Sequence, residues 1–74
     1  MIQCVTRKAR KSTSKVELIH IITDDKKVLF GIDVTMFDNI HPPKSFTIME
    51  SSNFQNVNNY FEKYAAENNM RIYL

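Results

Sequence analysis

The chain has a single cysteine, Cys4, so no disulfide can close within it, and a zinc site would have only Cys4, His20 and His41 to draw on. It holds one glycine and no tryptophan. No GXXG loop, RNP-like aromatic pattern or zinc-finger spacing occurs, which removes the compact signatures of named nucleic-acid folds. Asp24, Asp25, Asp33 and Asp38 lack the spacing and the glycine of a calcium loop. No apolar run approaches the roughly 18 residues of a membrane span, and the first residues lack the charged, apolar, small-residue order of a signal peptide. The expectation is a cytoplasmic protein with no membrane, metal or cofactor.

Acidic side chains are also missing from the start of the chain, where the first is Glu17. Arg7, Lys8, Arg10, Lys11 and Lys15 fall in that stretch and are five of the ten Lys and Arg residues. With eight Asp and Glu in total, the window is +5 and the remainder −3, a segregation that the net +2 conceals. So dense a cluster attracts polyanions or acidic surfaces within a Debye length of about 8 Å.

Seventy-four residues make one domain with a thin core, for which self-association as a homodimer would be a help. Residues 1–6 are apolar and β-prone and predict a short strand, followed by a basic loop over 7–15 containing Ser12, Thr13 and Ser14. A flexible loop there would allow the first strand to swap into a neighbouring copy. Val16, Leu18, His20 and Ile22 alternate with Glu17, Ile19 and Ile21. After the polar turn Asp24-Asp25-Lys26, Val28, Phe30, Ile32, Val34 and Met36 alternate in the same way, which predicts a β-hairpin over 16–37 with Phe30 buried. Pro42 and Pro43 make residues 38–44 a loop, because neither can donate to a ladder. Phe46 and Ile48 then alternate with Ser45, Thr47 and Met49 in a short strand.

Ser52 and Gln55 suggest a capping box at the start of a helix over about 52–68, with Phe54, Val57, Tyr60, Phe61, Tyr64 and Ala65 on one stripe. Asn68-Asn69 suits its end, since asparagine tolerates left-handed backbone, and residues 70–74 predict a final strand. The fold class expected is α+β: a small two-layer sandwich, its antiparallel or mixed sheet covered by one helix, in the order β-β-β-β-α-β.

No constellation defines a catalytic chemistry. His20, flanked by isoleucines, reads as half-buried and structural, His41 as a loop decoration and Cys4 as a small buried apolar residue, so no enzyme is expected. Arg7, Lys8, Arg10, Lys11 and Lys15 are the candidates for contact with nucleic-acid phosphates or an acidic partner. If all five met phosphates, log K would fall with log salt at a slope of roughly −3.5 to −4.5. Phe37 and Tyr73 are the strand aromatics best placed for exposure, and so for stacking on bases. The first expectation is a non-enzymatic module that binds nucleic acid through the basic loop. The alternative is a regulator or inhibitor of a larger host enzyme or complex, which would dock through a free sheet edge, through Ile40, His41, Pro42 and Pro43 or through Tyr60 and Tyr64. Size and the bias toward Ile, Lys, Asn, Phe and Tyr resemble the short accessory proteins of phages and low-GC bacteria.

Overall fold

The computed structural model describes residues 1–73. Four strands form an antiparallel meander, β1 (Ile2–Lys11), β2 (Ser14–Ile22), β3 (Val28–Met36) and β4 (Lys44–Ser51). Helix α1 (Phe54–Glu67) and a short strand β5 (Arg71–Tyr73) follow. Spatial order in the sheet is β4-β3-β2-β1-β5, and every pairing is antiparallel, so the mixed alternative is set aside. The expected α+β sandwich and its element order are what the chain forms.

The topology fixes where the helix runs. β4 and β5 occupy opposite edges and point the same way, so α1 must cross one face of the sheet from edge to edge. Its 14 residues span about 21 Å, enough to cover the roughly 19 Å between the outer strands. Val57, Phe61 and Ala65 pack beneath it against Ala9, Val16, Leu18, Ile32 and Val34, with Met70 closing the cluster. Burying the Val, Leu, Ile, Phe and Met side chains of this cluster stabilises the fold by about 1.5–3 kcal/mol each, and the two alanines add less. Phe54 and Tyr60, on the expected stripe, stay 42% and 41% exposed, outside the core cluster. Phe54 meets Phe30 edge-on at 5.1 Å between centroids, and Phe30 itself is half-buried, not buried.

Both helix ends follow from asparagine chemistry. The N-cap is Asn53, not Ser52: its side chain accepts from the Asn56 amide at 3.1 Å, while Ser51 Oγ accepts from the Asn53 amide. At the other end Asn69 adopts φ 56°, and the amides of Asn69 and Met70 donate to the carbonyls of Ala66 and Ala65. That pair of bonds is a Schellman motif, with Met70 supplying the apolar contact.

The main departure from the sequence expectation lies at the start of the chain. Residues 7–15 are not a loop: β1 continues through Arg7, Lys8, Arg10 and Lys11, and only Ser12 and Thr13 separate it from β2. Two neighbours supply the ladder that makes this possible, β2 along its length and β5 at Lys8, Ala9 and Arg10. Residues 2–5 pair with β2 of the same chain, so the link expected to let the first strand swap is itself a strand. Cys4 is exposed, because it lies opposite His20 at the end of β1 that the core cluster does not reach. A bulge between Ile32 and Asp33 of the ladder likewise breaks the expected alternation in β4, turning Ile48 and Met49 both against the core.

Candidate nucleic-acid interface

With α1 on one face, the other sheet face is left to the alternate residues of each strand, and cross-strand register sorts these into rows. Arg71 lies opposite Arg10, Arg10 opposite Lys15, and Lys15 opposite Thr35. Three cations thus stand side by side on β5, β1 and β2. The next row reads Tyr73, Lys8, Glu17, Asp33 and Thr47. Beyond it the surface turns apolar, with Val5, Ile19 and Gly31, then Ile21 and Leu29.

Like charges directly opposite each other oppose strand pairing. Here the repulsion is only partly offset. Lys15 reaches Glu17 at 3.6 Å on a half-exposed surface, and the Arg10 guanidinium lies over the Tyr73 ring at 5.4 Å. Lys8 approaches the same ring at 5.5 Å, so Tyr73 holds two cations in place. Arg71 has no acidic partner among the described residues.

This end of the face is concave. Arg10, Lys11, Ser12, Lys15, Phe37, Arg71 and Tyr73 line an open hollow of about 870 Å³. Among the described residues no acidic side chain lines it. Phe37 is fixed there by its amide, which donates to the Thr13 carbonyl at 2.8 Å, and the residue remains 41% exposed.

Of the five basic candidates, Arg10, Lys11 and Lys15 line the hollow, Lys8 flanks it through Tyr73, and Arg7 does not belong to it. The bulge between Val5 and Arg7 leaves Arg7 on the helix side, where its Nη1 donates to Asn58 Oδ1 at 2.8 Å and Glu62 Oε1 at 2.7 Å. Its guanidinium also lies 5.1 Å from the Phe61 ring centre. Arg7 therefore ties β1 to α1. Arg71 was missed because it lies 56 residues beyond the end of the window at Lys15; the predicted final strand, had its pairing been known, was the available signal.

The other candidates are scattered. Ile40 is 84% exposed in the loop before β4, where Asp38 Oδ1 accepts from the Ile40 amide and Oδ2 contacts His41 Nδ1 at 3.0 Å. The His41 hydrogen bond, with the Ile40 amide second, holds the Asp38 carboxyl below its ordinary value. Pro42 and Pro43 are exposed on the same loop. Tyr60 and Tyr64 border a separate hollow of about 110 Å³ on α1, and Tyr64 also packs on the core. His20 is half-buried and stacks on Phe30 at 5.0 Å, its Nε2 without a hydrogen-bond partner among the described residues. No group of three or more His, Cys, Asp or Glu that could hold a metal ion occurs among the described residues, and none of their helices is long and apolar enough to cross a membrane.

Comparison with models of known protein families, with curated proteins and with solved structures gives no match.

Proposed function

We propose that this protein is a non-enzymatic module that binds nucleic acid, with the phosphates taken along the row Arg71, Arg10 and Lys15 and by Lys11 at its rim. The observation that carries the reading is that row: three cations set opposite one another in a sheet, at a cost to pairing that a bound polyanion would relieve. Guanidinium and ammonium groups contact phosphate without regard to base, and release of condensed counterions supplies the affinity. Glu17 and Asp33, opposite each other in the adjacent row, repel phosphate and restrict the backbone to the basic end of the face.

The test is fluorescence anisotropy with a labelled oligonucleotide across a salt series. Four phosphate contacts give a slope of log K against log salt of about −3 for a single strand and about −3.6 for a duplex. Reversing Arg10 and Lys15 to Glu removes binding if the reading is right. Affinity that is flat in salt, or that survives the double reversal, rules it out, as does selective capture of an acidic protein by a site that ignores oligonucleotides.

A further inference from the structure

Resting on the nucleic-acid reading above, we infer that the ligand is a single strand and that one of its unpaired bases stacks on Phe37. The phosphate row alone does not discriminate, because a duplex and a single strand present the same charge chemistry. The aromatic ring beside it does. Within a duplex both faces of each base are covered by its neighbours, so away from the two ends a side-chain ring has no face to meet. A single strand exposes its bases, and stacking on an aromatic ring needs no particular base.

Three features suit Phe37 to this role. It is large, apolar and 41% exposed, lying outside the core cluster and within a hollow otherwise lined mainly by cations. Its position is fixed by the hydrogen bond from its amide to Thr13, which anchors the end of β3 to the β1–β2 turn, so little order has to be gained on binding. And it stands beyond the Lys15 end of the basic row, since Phe37 follows Met36, which pairs with Ser14. From Arg71 to Lys15 is two strand spacings, about 10 Å, a length that takes two or three successive phosphates of one strand. The backbone then crosses the β-strands, and the base that follows the Lys15 contact reaches the ring. Tyr73, at the other end, is already occupied by Lys8 and Arg10 and positions them.

The chain contains no tryptophan, so Phe37→Trp places a single tryptophan at the site, which can be excited at wavelengths where the three tyrosines hardly absorb. An oligonucleotide of about 12 nucleotides, within the usual range for a small single-strand site, is titrated alone and as its annealed duplex. The single strand is expected to bind more tightly and to quench the Trp emission in step with binding. Phe37→Leu, which keeps an apolar side chain but loses the ring, is expected to weaken single-strand binding about 5- to 100-fold and to leave duplex binding unchanged. Thermal melts of both variants check that the fold is intact. Duplex binding as tight as single-strand binding, with no effect of Phe37→Leu and no quenching, overturns the inference and leaves the phosphate reading standing. Binding of neither form overturns both.

Discussion

Replacing Arg71 by Thr should make the protein more stable, and more so the lower the salt. Arg71 stands opposite Arg10 and one strand further from Lys15, with no acid to offset it among the described residues. Taking charge separations of about 6 and 10 Å in a solvent-exposed site, the Coulomb terms are about 0.7 and 0.4 kcal/mol before screening. At 0.15 M salt, with a Debye length of about 8 Å, they fall to about 0.5 kcal/mol together; at 0.01 M they recover to about 0.9, and at 1 M about 0.1 remains. Thr also suits a strand better than Arg, but that gain does not depend on salt. Urea titrations of both proteins at the three salt concentrations separate the two effects. In a domain of this size 0.5 kcal/mol raises the melting temperature by about 2–4 °C. The same variant should lose one phosphate contact, reducing the salt slope of single-strand binding by about 0.7. If Arg71→Thr is destabilised by the same amount at every salt concentration, the row carries no repulsion and the chief argument for a polyanion falls.

Arg7→Ala should behave in the opposite way. Losing two charge-assisted hydrogen bonds and the contact with Phe61, discounted because Glu62 is 53% exposed, costs about 2 kcal/mol, read as an 8–16 °C fall in melting temperature, while the salt slope of binding stays the same. A slope reduced by one contact would instead place Arg7 in the interface. Lys26→Gly should stabilise by about 0.5–1 kcal/mol, because Lys26 holds φ 64° in the β2–β3 turn, where a Cβ is unfavourable. Chemical denaturation decides this, and a loss of stability would show that the left-handed turn is not strained.

The elements whose side chains alternate or recur cleanly were legible from sequence. The β2–β3 hairpin, the α1 stripe centred on Val57, Phe61 and Ala65, and the stop at Asn69 all follow from local chemistry. β1 was hidden because Ala9 is the one apolar residue between Thr6 and Lys11, so its alternation separates Arg7 from Lys8 and Arg10, not apolar from polar. Periodicity cannot register a strand that is stabilised by neighbours on both sides and by a single small core residue. For the candidate site, charge density pointed to the stretch that carries Arg10 and Lys15, but the bulge at Val5 decided which arginine faces which way. Arg71 joins only through the β1–β5 pairing, a contact between the two ends of the chain.

That pairing has a consequence in time. The meander from β1 to β4 is built from neighbouring hairpins and can close as soon as each turn is made, whereas β5 can find Lys8, Ala9 and Arg10 only after α1 has docked. Its three residues are also the shortest rung of the sheet, the kind that opens first when a native protein fluctuates. Each such opening takes away Arg71 and the Tyr73 ring while leaving Arg10 and Lys15 behind, so the complete basic row exists only in the fraction of molecules with this last strand closed, and under the proposed reading a ligand that holds Arg71 would favour that closed state.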